Sequence, residues 1–237
     1  MSGGMLGGFM ENRKLKQKRR MAHRLGYQGL QAMTRNDPDA AERSLNAALT
    51  LFQELGERGE EATTHTHLAS IHQHRGELDD AEEDLRIALA LFEQVGDTDG
   101  LATVWSNIGI ISLSREAFDE SEQQFKQALK LYQDSNNREG IAHSHGGIGL
   151  AQLGRKEFDT AIEGIKRSVR KFEELDQRHG LAPMLVNLGE AYVAAGDPDS
   201  AREHWEHAQE VYQMLKAPEL VEQVQKRIDE TFDTDGE

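Results

Sequence analysis

At 237 residues, with no cysteine and a formal net charge of −15, the chain has ample material for a core but cannot form disulfides, thiolate metal sites or lipidated cysteines. No apolar run approaches the ~18 residues that a membrane span needs, and basic residues follow the weakly apolar N-terminus instead of preceding it, which is unlike a signal peptide. We therefore expect a cytoplasmic protein.

Charge is distributed unevenly along the chain. Residues 1–24 contain seven basic side chains and one acidic one, a net charge of +6, so the remaining residues carry −21. We expect this acidic part to repel nucleic acid and to favour neutral or basic protein partners.

The N-terminal segment has two parts. Residues 1–10 contain four glycines and no helical apolar stripe, so we expect a flexible tail. Residues 11–21 are good helix formers and predict a basic helical extension that runs into the next element. Three interpretations of this extension remain open: a solvated cap, a docking element for a membrane surface or a nucleic acid, and a self-association element.

A pattern of two short helices with a tight turn, clearest in residues 103–132, recurs every 40 residues without an insertion. Its apolar positions follow helical spacing. The recurring small residues are Gly29, Ala69, Gly109, Gly149 and Gly189, with Ala41, Ala81, Ser121, Ala161 and Ala201, and with Ala22, Ala62, Ala102, Ala142 and Ala182. The recurring large residues are Leu45, Leu85, Phe125, Ile165 and Trp205, with Phe52, Phe92, Tyr132, Phe172 and Tyr212. The pattern indicates a repeat array in which small residues mark close helix contacts and large ones fill the layer between helices.

The stretches W-S-N-I-G-I-I-S at 105–112, F-D-E-S at 118–121 and F-K-Q-A-L at 125–129 resemble the tetratricopeptide repeat family. That family has an aromatic residue, Leu-Gly and Tyr in its first helix, and Ala, an aromatic residue and Ala in its second. The resemblance covers about residues 20–215 and is fullest in the last unit, with Leu188, Gly189, Tyr192, Ala201, Trp205 and Ala208. Each unit exceeds the common 34-residue repeat by six residues, similar to the lengthened repeats of kinesin light chains and spindle-orientation adaptors.

The resemblance implies an all-α fold, a right-handed α-solenoid of five helix-turn-helix repeats plus a C-terminal capping helix. The predicted repeats occupy residues 22–61, 62–101, 102–141, 142–181 and 182–216, the capping helix 217–232, and a short tail 233–237. Turn residues support these limits: Asp37 and Asp197 stand before prolines as N-caps, and Gly100, Gly140 and Gly180 stand just before the next first helix.

The resemblance also implies that the first helices line a concave groove, so one face of each is the candidate peptide-binding surface. The residues on that face are Thr63, Thr66, His67, Ser70, His74, Thr103, Ser106, Asn107, Ile110, His143, Leu150, Asn187 and Glu190. Asn107 and Asn187 stand where peptide-binding members hold the ligand backbone, and a carboxamide suits this task because it both donates and accepts. The alternative is a solvated polar face.

Four neighbouring histidines have no evident ligand partners in the sequence. The spacing places His65 and His72 on core-facing positions and His67 and His74 on the groove, and no carboxylate or cysteine completes either pair, so we expect no metal site.

Two further motifs carry no catalytic meaning in this register. The glycine-rich residues 146–149 follow no strand, and His204-Trp205-Glu206 lacks the cysteines of a zinc deaminase. We expect neither an enzyme nor a cofactor.

The sequence therefore predicts a non-catalytic protein-protein interaction scaffold that binds a peptide or helix in its groove. The alternative is a self-assembling structural scaffold in which the basic N-terminal helix of one chain contacts an acidic surface of the next.

Overall fold

The computed structural model describes the backbone of residues 3–232 and the side chains of residues 11–232. Within that range the chain is helix and turn, without a strand, as predicted. The helices are α1 (Gly3–Thr34), α2 (Pro38–Leu55), α3 (Arg58–Arg75), α4 (Leu78–Val95), α5 (Thr98–Ser114), α6 (Phe118–Asp134), α7 (Arg138–Gly154), α8 (Phe158–Glu174), α9 (Arg178–Ala195), α10 (Pro198–Met214) and α11 (Pro218–Phe232). The predicted tail at 233–237 lies outside the described residues.

The chain consists of two compact units, and the boundary between them lies inside α5. In the unit Met1–Asn107, helix α1 packs on α2, α2 on α3, and α3 on α4. In the unit Ile108–Glu237, each helix from α6 to α11 packs on the next, and α7 also contacts α9. Each unit is thus a succession of antiparallel helix pairs, the architecture of an α-solenoid.

A left-handed residue follows every helix from α1 to α10, at intervals of 20 residues. Four of these residues are glycines, at 56, 76, 96 and 196, with φ between 69° and 84°. The other six, with φ between 51° and 64°, are Asn36, Glu116, Asn136, Lys156, Asp176 and Lys216. Each 40-residue repeat therefore consists of two halves of equal length with the same turn.

The predicted recurring positions form the core. All members of the large columns are at most 8% exposed, and the alanines of the small columns are fully buried. Gly149 shows why small residues recur: a Cβ there would lie 2.8 Å from Ile165 Cγ1 and 2.9 Å from the backbone oxygen of Ala161. The predicted close helix contacts are confirmed at this position.

The two predicted proline-linked N-caps are confirmed. Asp37 accepts a hydrogen bond from the backbone N–H of Ala40 at 3.0 Å, and Asp197 accepts one from that of Ser200 at 3.1 Å. These carboxylates satisfy backbone donors that the first helical turn leaves unpaired.

Two expectations about helix starts differ from the structure. Gly100, Gly140 and Gly180 lie inside α5, α7 and α9, not before them. Because these glycines have no side chain, an aromatic ring of the preceding helix can pack against them. A Cβ on Gly140, for example, would lie 2.4 Å from the Tyr132 ring. Helix α1 begins at Gly3, so residues 3–10 are helical where the sequence predicts a tail.

Helix α11 covers the end of the unit Ile108–Glu237. Val224 and Ile228 are buried, and Gln209 Nε2 donates to the backbone oxygen of Val221 at 3.3 Å. The outer face carries the charged residues Glu219, Glu222, Lys226 and Asp229. A polar outer face is what a terminal element of a repeat array requires.

Candidate peptide-binding surface

In each unit, the groove face is the exposed face of the odd-numbered helices. In the unit Met1–Asn107 it contains a cleft between α1 and α3. The cleft has a volume of about 210 Å³. Thr63 and His67, both predicted, line it together with His23, Tyr27 and Leu30 of α1. Tyr27 is 63% exposed and Leu30 37%. Burial lowers the pKa of His67 below its ordinary value, which favours a neutral ring in this cleft.

The residues of α1 in this cleft were missed by the sequence analysis, although the 40-residue register could have found them. Subtracting 40 from positions 63, 67 and 70 gives His23, Tyr27 and Leu30. The N-terminal repeat thus contributes the most exposed aromatic and aliphatic side chains of this cleft. An exposed tyrosine beside an apolar side chain offers area and a hydrogen-bonding hydroxyl to a ligand.

The remaining predicted residues of α3 lie in different environments. Thr66 is only 6% exposed, and its hydroxyl donates to the backbone oxygen of Ala62 at 3.0 Å. It is therefore not available to a ligand, because its helical position turns it toward the interior. Ser70 and His74 line a second cleft, of about 210 Å³, together with Met33 of α1.

The predicted residues of α5 belong to both units. Within the unit Met1–Asn107, Thr103 is exposed, while Ser106 and Asn107 are half-buried. The backbone oxygen of Asn107 accepts a hydrogen bond from Gln73 Nε2 at 3.0 Å, which ties α3 to α5. Within the unit Ile108–Glu237, Ile110 is 44% exposed.

The other predicted residues of the unit Ile108–Glu237 lie on α7 and α9. His143 is exposed, and its ring packs edge-on against Phe172 with ring centroids 4.8 Å apart. Burial lowers the pKa of His143, and Glu139 opposes this shift. Leu150 and Asn187 are half-buried.

Glu190 is held by a cation that the sequence analysis did not anticipate. Its carboxylate accepts a hydrogen bond from the guanidinium of Arg227 on α11 and forms an ion pair with it. Arg227 stands 40 residues after Asn187, so α11 continues the register of the first helices. The one carboxylate among the predicted binding residues is therefore part of an ion pair, and is less open to a cationic ligand than the sequence suggests.

The expectation that no carboxylate accompanies the histidines was wrong. His65 Nδ1 lies 2.7 Å from Asp84 Oδ1, and His72 Nδ1 lies 2.7 Å from Glu77 Oε2. Asp84 is on α4, 19 residues from His65, so spacing within one helix could not reveal it. His72, Glu77 and Asp80 offer ligand atoms within 4.8 Å of one another and could hold a divalent cation.

The two motifs that suggested chemistry lie in regular helix. Residues 146–149 are inside α7, where Gly147 is buried, so their backbone N–H groups form no phosphate-binding loop. Trp205 is buried in α10 and donates to the backbone oxygen of Val186 at 3.1 Å. Its neighbour His204 stacks on Tyr192 with centroids 5.3 Å apart.

Among the residues that the structure describes, no helix is both long and apolar enough to cross a membrane.

Family comparison agrees with the repeat geometry. A sequence model described as tetratricopeptide repeat matches residues 60–134 and 139–214, well over half of the chain. The chain belongs to the tetratricopeptide repeat family. A comparison with curated proteins finds no match.

Solved structures share the fold of this tetratricopeptide repeat protein. BtubC from P. vanneervenii is 22% identical, with 86% of this chain and 89% of that chain covered and a TM-score of 0.66. A Rap protein complexed with competence and sporulation factor is 13% identical, with 81% and 54% covered and a TM-score of 0.75. A putative kinesin light chain from Podosopora anserina, with nearly identical repeats, is 15% identical, with 86% and 96% covered and a TM-score of 0.58.

Proposed function

We propose that this tetratricopeptide repeat protein is a non-catalytic, cytoplasmic interaction scaffold whose groove face binds a peptide or helix of a partner protein. The observation that carries the proposal is the α1–α3 cleft, where Tyr27 and Leu30 remain exposed beside the polar Thr63 and His67. Apolar anchors beside groups that donate and accept hydrogen bonds are the composition of a peptide-binding groove.

Similar proteins support the same class of function. The family consists mainly of interaction scaffolds, and one similar structure is a Rap protein complexed with competence and sporulation factor. In each unit the predicted lining is mostly small and neutral, so backbone recognition, by Asn107 in the first unit and by Asn187 in the second, fits it better than recognition of a charged chain end.

The test is the capture of a partner by the full chain and by two charge-insertion variants. Thr63→Arg places a long cation in the cleft, whereas Glu93→Arg places one on an exposed position of α4, outside the groove face. We expect a protein that the wild type captures from the native host to be retained by Glu93→Arg and lost by Thr63→Arg, and the segment it uses to bind the purified chain directly. Equal capture by both variants would contradict the proposal.

A further inference from the structure

Helix α1 carries a strip of basic side chains, defined by Arg13, Lys16, Arg20 and Arg24. Intervals of three and four residues place them on one face of the helix. All four are exposed, and among residues 11–232 none of them forms an ion pair with a carboxylate. The strip spans about 17 Å of helix, at 1.5 Å per residue.

Two other basic residues of this helix, Lys18 and Arg19, behave differently. Lys18 forms an ion pair with Glu54 at the end of α2, and Arg19 forms one with Glu57 in the turn before α3. These contacts hold α1 against its own unit. The extension is therefore partly a cap, and the side chains of the strip take no part in these ion pairs.

The strip leads directly into the α1–α3 cleft. Tyr27 stands seven residues after Arg20 and eleven after Lys16, two and three helical turns on the same face. The cleft therefore continues the strip with the exposed ring of Tyr27 and the side chain of Leu30. Glu60 lies at the cleft, so negative charge is unfavourable there and favourable only along the strip.

We propose that the basic strip and the α1–α3 cleft together bind an acidic segment of a partner protein that carries an aromatic or leucine side chain. The acidic residues lie along Lys16 and Arg20, and the apolar side chain lies beside Tyr27. About five extended residues match the length of the strip, at ~3.3–3.6 Å each. This inference rests on the proposed function and names the chemical class of partner at its N-terminal end.

A short acidic segment fits this surface better than a long polyanion. The residues after position 24 carry a net charge of −21. A nucleic acid or an anionic membrane extends far beyond the strip and meets that acidic surface, whereas a short segment stays within a Debye length of ~10 Å of the basic side chains at 0.1 M salt.

The experiment measures the affinity of the full chain for labelled synthetic peptides by fluorescence anisotropy. One peptide has five glutamates followed by Gly-Leu-Phe-Ser; the second replaces the glutamates by glutamines, and the third replaces leucine and phenylalanine by alanine. We expect the acidic peptide to bind about tenfold more tightly than the glutamine peptide, since several weak exposed ion pairs act together. The difference should shrink in 1 M salt.

Two double variants locate the effect. Lys16→Glu with Arg20→Glu should abolish the preference for glutamate. Lys130→Glu with Arg170→Glu changes net charge equally at exposed positions elsewhere and should keep it. Tyr27→Ala should weaken the first two peptides and leave the alanine peptide unchanged. Circular dichroism confirms that each variant remains helical.

Several outcomes overturn the inference. Absence of acidic-peptide binding, equal binding of the glutamate and glutamine peptides, or an undiminished preference in the strip variant would each do so. Strip-dependent binding of oligouridine or of phosphatidylserine vesicles without binding of the acidic peptide would assign the strip to a polyanion instead. Equal peptide binding that is lost in Thr63→Arg would reject the acidic class but retain the groove function.

Discussion

Arg155 at the end of α7 binds Glu122 of α6, with Nη2 and Oε2 2.7 Å apart. The same guanidinium also binds Asp119 and Glu157. Eighty residues earlier, Arg75 binds the equivalent carboxylates Asp39, Glu42 and Glu77. In each unit a repeat is thus joined to the preceding one by an arginine that contacts three carboxylates. A planar guanidinium with five donors suits this task better than an ammonium group.

The first prediction concerns the stability that this contact provides. Burial alone would raise the pKa of Glu122, but hydrogen bonds from Arg155 and Lys126 lower it below the ordinary 4.5. A lowered folded-state pKa stabilises the fold above the unfolded-state pKa, and this contribution is lost as pH falls through the folded value. Arg155→Met should therefore lower the melting temperature at pH 7, with a smaller difference from wild type below pH 4.5.

The control for this variant is Arg170→Met. Arg170 is exposed on α8 and forms no ion pair among residues 11–232, so its loss should leave the melting temperature nearly unchanged at both pH values. A pH-independent gap between Arg155→Met and wild type would show that packing of the arginine stem, and not the ion pair, accounts for the effect.

The second prediction concerns the left-handed turn residues. Lys156 has φ of 64°, a conformation that costs a residue with a side chain roughly 1–2 kcal/mol and that glycine adopts without this cost. Lys156→Gly should raise the free energy of unfolding by about 1 kcal/mol, measured by urea denaturation. Lys130→Gly, inside α6 and one turn before its end, should lower it by a similar amount. A loss in both variants would contradict this explanation.

The third prediction tests the close contact between α7 and α8. Gly149→Leu should lower the free energy of unfolding by ~1–3 kcal/mol, because part of the obstruction is backbone that cannot move aside. Gly59→Leu is the matched control, since a Cβ at Gly59 meets nothing within 4 Å. Equal stability of Gly149→Leu and wild type would refute the packing argument.

Much of the fold was predictable because the repeat fixes so many positions together. The core columns and the glycine-linked and asparagine-linked turns all follow from one 40-residue register. The turns at Glu116 and Lys156 carry no turn residue, so composition could not mark them. The flanking helices impose the left-handed conformation there, since the same turn recurs every 20 residues.

The candidate site was less predictable than the fold. The 40-residue register assigns a residue to one face of its own helix. It does not show which side chains of an adjacent helix contact that residue. Asp84 beside His65 and Arg227 beside Glu190 both come from other helices. The register also does not show how deeply a residue is buried. Thr66 is assigned to the groove face, but it is only 6% exposed.

The fourth prediction concerns recognition of a ligand backbone. Asn107→Ala and Asn187→Ala should each weaken partner binding by about 1 kcal/mol, roughly fivefold in Kd, because each removes a hydrogen-bonding carboxamide. Both residues are half-buried, so the melting temperature should change little. Asn46→Ala, exposed on α2, is the control. Unchanged affinity in both groove variants would remove the asparagines from the binding surface.

The last prediction is that the basic strip also supports weak association between copies of the chain. The strip is positively charged, and α11 exposes Glu219, Glu222, Asp229 and Glu230. A contact between these two surfaces is heterologous, so it need not close and can extend into open assemblies. Individual exposed ion pairs contribute only ~0–1 kcal/mol, and salt screens them strongly. We therefore expect concentration-dependent sedimentation at low salt, and monomers at 1 M salt.

The strip variant separates this association from any other. Lys16→Glu with Arg20→Glu should sediment as a monomer at low salt, because it places acids opposite the acidic residues of α11. The Lys130→Glu and Arg170→Glu variant has the same net charge and should still associate, because its basic strip is unchanged. Monomeric sedimentation of the wild type at every salt and protein concentration would contradict the prediction. It would mean that exposed ion pairs are too weak to join two acidic chains, so that the strip binds only partner proteins.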